Sequence, residues 1–319
     1  MAFDPNLLRK LIPEGEPPFP WFTDEDRLYV QDLDQRRREL LKTGRAAVSD
    51  DPNPRTIAWL IAYSRVALVR FPLSLVRYLT IGIFPVPKSV PQSEFVQNGY
   101  SFGVRVVLSP RALFEEFSIV TLLSPEKTLI RCPFQSVPDR LVLHHGIPAI
   151  PNATTTCFAT PRYSSSSWSA GVITAGHCTV NLTPGASYNG WTLVDHDQVI
   201  DASVLDIAPT AIPQTSLPLT TIQPIVGDKV TMNSQTGSKT GIVLSAPPIL
   251  GYWGRLLPKR ITTDFAGQPG DSGSLLVASS SAQSGYGLYM GMIPGGSGPE
   301  GVFQELAQVA SYFDVDLFR

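Results

Sequence analysis

The sequence predicts a mainly β protein, built as a sandwich or a pair of β-barrels, with a C-terminal helix and a mixed helical and strand region before the sheets. Three observations carry this prediction. The 319 residues include 25 glycines and 29 prolines, which suit short strands joined by tight turns. Segments rich in β-branched and apolar residues follow one another after residue 140. Apolar residues near the C-terminus recur instead at helical spacing.

Charge divides the chain into two regions. Residues 1–140 carry 18 Lys and Arg against 16 Asp and Glu, whereas residues 141–319 carry 7 against 11. The net charge therefore changes from +2 to −4, and Pro and Asn punctuation accompanies the change. We predict an N-terminal region over 1–140, which is a pro-segment, a regulatory module or an integral part, and a separate domain over 141–319.

The first region should contain both helices and strands. Thr23 and the acids after it predict a helix N-terminus, and a second helix should begin near Pro54. Strands are expected at 101–108, 117–123 and 127–134. No motif that carries chemistry occurs in this region.

An apolar stretch runs from Thr56 to Pro87. Arg65, Arg70 and Arg77 interrupt it, so it lacks the roughly 20 nearly uncharged residues of a membrane span. We interpret it as one or two helices buried against protein, with a helix lying on a membrane surface as the lesser alternative. The N-terminus lacks the pattern of a secretory signal, so a cytoplasmic location is the default and secretion by a non-standard route is the alternative.

The second region reads as strands almost throughout. Its last segment predicts an amphipathic helix, because Val302, Leu306, Val309 and Phe313 share helical spacing. The segments expected to form strands are 167–178, 190–194, 199–207, 228–233, 240–246, 273–279 and 286–293.

Composition and motifs limit the partners. A net charge of −2 provides no field for nucleic acid, and Arg36–Arg38 fit a solvated helix face. His144 and His145 lack neighbouring ligands, so we expect a surface or linker pair and no metal. The glycines at 295, 296 and 298 lack the Gly-Lys-Ser/Thr ending of a phosphate loop. No cofactor is implied, and a protein or peptide is the expected substrate.

Three segments could carry nucleophilic chemistry. A serine attacks at neutral pH only when an imidazole, held in one tautomer by a third group, takes its proton. His177 stands in TAGHC at the end of a predicted strand, and Ser272 stands in GQPGDSGS, where glycines permit a sharp turn. The amides of Gly270 and Ser272 could then form an oxyanion hole. Asp201 begins the predicted strand DASVL.

Other acids compete with Asp201 for the third position. Asp195, Asp197 and Asp206 lie in the same stretch of sequence. Asp201 is preferred, because DASVL best matches the family pattern that follows.

The segments TAGHC and GDSGS resemble the His and Ser signatures of the chymotrypsin-like (trypsin-fold) serine proteases. The order His177, Asp201, Ser272 is also that family's order. Residues 226–243 are similar to the hairpin before the nucleophile in bacterial streptogrisins and alpha-lytic protease, and 301–303 resemble the last strand before a terminal helix. The resemblance covers about residues 145–319. It implies a double six-stranded β-barrel and a Ser-His-Asp endopeptidase.

The resemblance also suggests finer features. Cys157 could pair with Cys178, or both could stay thiols in a reducing compartment. Asp271, which precedes the nucleophile, is expected to meet either an inserted N-terminus or an internal base. The family's pocket floor corresponds to Ala266 and its walls to Gly296 and Gly301. That set implies an uncharged, apolar side chain before the scissile bond.

Two functions follow as hypotheses. The first is an active serine endopeptidase, restrained by residues 1–140 or by a regulatory partner. The second is a binding or scaffold module that has this fold and an occluded or unused site.

Overall fold

The computed structural model describes slightly less than two thirds of the chain. None of the helices in that part is long and apolar enough to cross a membrane. The two helices predicted before residue 73 lie outside the described residues, which are 74–91, 93, 96, 100–112, 115–123, 129–144, 157–163, 166–188, 190–234, 236–247, 257–294 and 298–319.

The fold divides into two compact units, taken here in turn. The first contains the described residues before 141 together with 225–227, 244–247 and 257. Its strands have the order β1-β2-β4-β3, with β2 and β4 parallel and the other two pairs antiparallel. They are β1 (Val76–Pro85), β2 (Tyr100–Leu108), β3 (Glu116–Leu123) and β4 (Leu129–Pro138).

The first strand corrects a prediction. Residues 76–85 lie within the stretch expected to be helical, but they form β1. Tyr78, Leu79 and Phe84 are buried there, and Gly82 packs so closely that a Cβ would lie 2.2 Å from the carbonyl oxygen of Leu244. An apolar run buried on both faces has no alternation, so its sequence resembles that of a buried helix.

The second unit contains a six-stranded sheet in the order β18-β6-β7-β10-β9-β8. All of its pairs are antiparallel. The strands are β6 (Cys157–Pro161), β7 (Gly171–Ala175), β8 (Ser187–Tyr188), β9 (Trp191–Asp197), β10 (Ala202–Asp206) and β18 (Val315–Phe318).

A second set of six strands closes on itself. Its order is β12-β15-β16-β17-β14-β13, and β13 pairs back with β12. Two short strands, β5 (Val142–Leu143) and β11 (Thr220–Thr221), add to β16. The six strands are β12 (Lys229–Ser234), β13 (Gly237–Ala246), β14 (Arg260–Thr263), β15 (Leu275–Ala278), β16 (Ser281–Pro294) and β17 (Pro299–Glu305), and the last residues of β13 belong to the first unit.

One α-helix, α1 (Leu306–Phe313), follows β17. The predicted helix therefore begins later than expected, because Val302 belongs to the strand. Leu306 and Val309 are buried in a core that includes Ile173, Leu275 and Leu288. The helix ends at Asp314, whose backbone is left-handed. The predicted class, mainly β with two sets of six strands and a C-terminal helix, is confirmed.

Candidate active site

Two adjacent strands bring His177 and Asp201 together. β7 and β10 are antiparallel, with Ala175 opposite Ala202. His177 lies in the 3-10 turn that follows β7, and Asp201 is the residue before β10. The two side chains therefore begin at the same end of one strand pair.

The carboxylate of Asp201 holds His177 at two points. Its Oδ1 accepts the backbone N–H of His177 at 2.6 Å, and its Oδ2 lies 2.8 Å from the ring Nδ1. Both side chains are buried. A carboxylate at Nδ1 fixes the tautomer in which Nε2 is free to accept a proton.

The backbone around Asp201 is set by two neighbours. Gly176 lies so close that a Cβ would come within 2.8 Å of the amide nitrogen of Ala202. The buried guanidinium of Arg260, on β14, donates to the carbonyl oxygens of Val199 at 2.9 Å and Ile200 at 3.1 Å. Arg260 therefore fixes the turn that delivers Asp201, whose own φ is +51°.

The competing acids make other contacts. Asp197 Oδ1 accepts the backbone N–H groups of Val199 and Ile200 at 2.8 Å each, so Asp197 closes the turn before Asp201. Asp195 is exposed, and its Oδ1 accepts the N–H of His196. Asp206 lies at the opposite end of β10 from Asp201.

Ser272 lies in a tight turn between β14 and β15. Gly270 and Gly273 have φ values of +101° and +87°, in the region that favours glycine. A Cβ on Gly273 would lie 2.4 Å from Thr174 Oγ1, so the turn packs directly against β7. The backbone amide of Gly273 also donates to the carbonyl oxygen of Tyr289, and this hydrogen bond holds the turn against β16.

The turn brings Ser272 to the imidazole. Its Oγ lies 3.0 Å from His177 Nε2 and 3.0 Å from the carbonyl oxygen of Met290. The hydroxyl has one proton, so it can donate to only one acceptor at a time. The structure thus brings all three sequence-predicted residues, His177, Asp201 and Ser272, into one hydrogen-bonded chain.

The predicted oxyanion donors flank the same hydroxyl. Among the described residues, none accepts a hydrogen bond from the amide of Gly270 or of Ser272. Asp271, between them, is fully buried. It accepts from the Thr236 hydroxyl at 2.8 Å and from the Gln268 amide at 2.8 Å, so its neutral partners replace the expected charged group.

The environment of His177 alters its basicity. Burial alone would lower the pKa of the imidazole, but hydrogen bonds and charges from Asp201 and Cys178 outweigh it and raise that pKa above its ordinary value. The raised pKa is the effect expected of the Asp201 carboxylate, because a negative charge at Nδ1 stabilises the imidazolium.

His144 corrects another prediction. The sequence predicts a surface or linker pair, yet His144 is buried, and Tyr289 OH lies 3.1 Å from its Nδ1. Its backbone carbonyl contacts Ser272 Oγ. His145 lies outside the described residues. Sequence reasoning missed His144 because its contacts come from β16, about 145 residues away.

The predicted pocket residues are only partly described. The backbone carbonyl oxygen of Ala266 accepts a hydrogen bond from the Lys239 ammonium at 2.8 Å. Gly301 is buried in β17, and a Cβ there would lie 2.4 Å from the carbonyl oxygen of Phe265. Gly296 lies outside the described residues. A separate surface cavity, lined by Trp168, Trp191 and other residues, includes none of the predicted site residues.

Neither a disulfide nor a cluster of metal ligands occurs among the described residues. Cys157 and Cys178 are both free thiols, so the pairing considered from sequence is not formed. Within the described ranges, no group of three or more His, Cys, Asp or Glu could hold a metal ion.

No protein-family model matches the chain, and no curated protein sequence matches it either. Solved structures that resemble it include serine proteases. A glutamic acid-specific serine protease with a histidine triad in substrate binding has a TM-score of 0.39 and 16% identity, covering 51% of this chain and 98% of its own.

Two further structures are similar at the same level. The Nocardiopsis protease NAPase has a TM-score of 0.38 and 17% identity, covering 51% of this chain and 90% of its own. A serine protease of a human pathogenic astrovirus has a TM-score of 0.30 and 15% identity. The match covers 51% of this chain and 93% of the astrovirus chain.

Two residues that support the site were not found from sequence. Thr236 bonds Asp271, and Arg260 bonds the turn before Asp201. A threonine after a predicted strand and an arginine in a segment without a predicted element carry no distinctive signal, so only the fold reveals these contacts.

Proposed function

We propose that this chain is a serine endopeptidase that hydrolyses peptide bonds through an acyl-enzyme. The observation that carries the proposal is the continuous chain from Asp201 through His177 to Ser272, with heavy-atom distances of 2.8 and 3.0 Å. These distances are those expected of a nucleophile, its base and the group that orients the base.

In the proposed reaction, Ser272 Oγ attacks the substrate carbonyl carbon while His177 Nε2 takes the hydroxyl proton. Asp201 holds the imidazole and stabilises the imidazolium that forms. His177 then returns the proton to the leaving amine, and the acyl group stays on Ser272. A water molecule, deprotonated by His177, hydrolyses that ester and restores the hydroxyl.

The amides of Gly270 and Ser272 are proposed to stabilise the oxyanion. Both lie in the glycine-bounded turn and neither has an acceptor among the described residues. Preorganised donors of this kind contribute roughly 10²- to 10³-fold to the rate per donor.

For specificity, we propose an uncharged side chain before the scissile bond. Ala266 at the floor and Gly301 at a wall, as inferred from sequence, carry no charge, and the nearby Lys239 ammonium is bonded to the carbonyl oxygen of Ala266. Tyr289 OH faces the same region and could bond a polar, neutral group. The apolar preference expected from sequence is therefore widened here to uncharged side chains.

Residues 1–140, as a separate N-terminal region, or a regulatory partner are proposed to restrain the site. The support is the occupation of the space before Ser272 by residues 142–144, which immediately follow that region. Peptide turnover by the full chain should be lower than turnover by a fragment that begins at residue 145. Equal turnover would remove this part of the proposal.

A fluorophosphonate probe tests the nucleophile directly. The wild-type chain should be labelled and should cleave members of a peptide library, whereas Ser272→Ala should do neither. A melting curve of Ser272→Ala that matches the wild type shows that the loss is chemical.

A binding or scaffold module is the second candidate function. It is favoured by one observation: the Ser272 side chain is buried and in contact with the protein's own backbone. Absence of labelling and of peptide turnover, in the full chain and in the fragment alike, would support that function in place of the protease.

A further inference from the structure

A short strand of the protein's own chain runs up to the Ser272 hydroxyl. β5 is antiparallel to β16, with Val142 opposite Met292 and Leu143 opposite Gly291. The pairing continues to His144, whose backbone N–H donates to the carbonyl oxygen of Met290 at 3.0 Å. That same carbonyl oxygen is 3.0 Å from Ser272 Oγ, so the strand ends beside the proposed nucleophile.

The carbonyl group of His144 comes next along the strand, and its carbon is the electrophile that a serine nucleophile would attack. The carbonyl oxygen of His144 contacts Ser272 Oγ and lies 3.4 Å from His177 Nε2. The carbonyl group of His144 is therefore held against the hydroxyl, whose base lies 3.0 Å away, and its oxygen rather than its electrophilic carbon makes the contact. Attack by Oγ on the carbon requires this peptide group to rotate, so that the carbonyl oxygen leaves Oγ for the proposed oxyanion donors, the amides of Gly270 and Ser272.

The side chains of the strand differ in exposure. Val142 and Leu143 are 48% and 36% exposed, whereas His144 is 6% exposed. The His144 ring is inserted beside Tyr289, edge to face at 5.9 Å between centroids, and its Nδ1 is 3.1 Å from Tyr289 OH. One buried, hydrogen-bonded side chain next to the reacting carbonyl is the pattern of a specificity pocket and its occupant.

The charge state of His144 fits this occupancy. Burial lowers the pKa of its imidazole, although the charge of Asp271 and a bond to the Gln268 backbone oppose the shift. The lowered pKa favours the neutral ring, whose Nδ1 can accept a hydrogen bond from Tyr289 OH.

The strand lies unusually close to the sheet. A Cβ on Gly291 would lie 2.1 Å from the carbonyl oxygen of Val142. Because Gly291 has no side chain, the backbone of β5 can come within hydrogen-bonding distance of β16, as an extended peptide does when it adds to a sheet edge.

We propose that residues 141–144 are an intramolecular substrate and that the protein cleaves its own peptide bond on the carboxyl side of His144. This inference rests on the proposed serine endopeptidase function. It assigns His144 as the residue before the scissile bond and Tyr289 as its specificity partner.

The chemistry balances with one water molecule. Ser272 Oγ bonds to the carbonyl carbon of His144, and the hydroxyl proton moves to His177 Nε2. The C–N bond to residue 145 breaks, and the amine leaves with that proton. Water then adds to the His144 ester, leaving a carboxylate at His144 and a free Ser272.

The two pieces should remain together after the cut. In the first unit, Ile81 and Gly82 pair with Ala246 and Ser245, so β1 bonds residues that lie beyond the cut in sequence. Fragments 1–144 and 145–319 should therefore separate only in denaturant, and electrophoresis under denaturing conditions is the appropriate readout.

The test follows newly translated, radiolabelled full chain over time. Wild type should yield one new C-terminus at His144 and one new N-terminus at residue 145, identified by mass spectrometry and N-terminal sequencing. The Ser272→Ala chain should stay intact. The first-order rate constant should be unchanged over a 100-fold dilution, because the substrate is part of the same molecule.

Side-chain variants test the pocket assignment. His144→Ala should slow the cleavage by about 10-fold or more, since the inserted ring and its bond to Tyr289 OH are lost. Tyr289→Phe should slow cleavage of the His144 chain but not further slow His144→Ala. His196→Ala, a histidine on β9, is the matched control and should cleave at the wild-type rate.

The outcomes separate this inference from the function on which it rests. A wild-type chain that hydrolyses library peptides but stays intact, or is cut elsewhere, overturns the self-cleavage and leaves the protease. A cleavage rate that rises in proportion to protein concentration overturns the intramolecular step. Absence of fluorophosphonate labelling and of all peptide turnover overturns the protease function itself.

Discussion

The two halves of the candidate site are built differently. The proposed acid–base half, His177 and Asp201, comes from the adjoining ends of β7 and β10, residues only 24 apart in sequence. The proposed nucleophile half, Ser272, comes from a glycine-bounded turn that lies 95 residues after His177. Strand pairing fixes the first half, and packing of a turn against β7 and β16 fixes the second.

The difference has a consequence for what each half tolerates. The acid–base half depends on charge and orientation inside a buried hydrogen-bonded pair, so substitutions should alter chemistry before they alter folding. The nucleophile half depends on backbone conformations that only glycine adopts easily, so substitutions there should alter folding as well.

The largest expected effect comes from Asp201→Asn. Loss of the carboxylate removes the bond that orients the imidazole, and turnover should fall by about 10⁴-fold. Asp201 also raises the pKa of His177, so the acid limb of kcat/KM should move to lower pH in the variant. A pH–rate profile of both proteins measures this shift, and an unmoved limb would mean that Asp201 does not act on the ring.

Arg260 should show that the acid–base half relies on its support. Arg260→Ala leaves two backbone carbonyls of the turn before Asp201 without their donor, and turnover should fall roughly 10- to 100-fold. The acid limb of kcat/KM in Arg260→Ala should move to lower pH, as it should in Asp201→Asn. Arg260→Lys should recover part of the rate, and a merely structural role would give lower stability with an unshifted pH profile.

Two glycine variants test the nucleophile half as a matched pair. Gly273→Ala adds a Cβ against Thr174 at a positive φ and should lower the free energy of unfolding by about 2 to 4 kcal/mol. Gly270→Ala meets open space, so only the backbone strain of about 1 kcal/mol applies. Urea denaturation compares the two, and equal losses would contradict the packing of the turn against β7.

The smallest effect is expected from a reductant. Because Cys157 and Cys178 are thiols, dithiothreitol should shift the melting temperature by less than about 1 °C, whereas loss of a disulfide commonly costs about 2 to 4 kcal/mol. Burial raises the pKa of Cys157 to about 12, so this thiol should resist alkylation in the native protein at pH 7. A large melting shift would show that the sheet carrying His177 is held covalently.

Local sequence predicted most strands of the second unit and the sharp turn at Ser272. It failed where burial removes periodicity, as in β1, and where very short or polar strands such as β5 and β14 pair only with distant partners. The terminal helix was predicted four residues too early, because Val302 fits both a helical face and the buried face of β17.

The sequence by itself determined the mainly β class and the residue types able to support nucleophilic chemistry, since strand patterns and glycine turns are properties of neighbouring residues. Only the tertiary structure decided which acid meets His177, that neutral groups bond Asp271, and that His144 is buried against Ser272. Each of these depends on strand register and on contacts between residues far apart in sequence, and no local pattern encodes those distances.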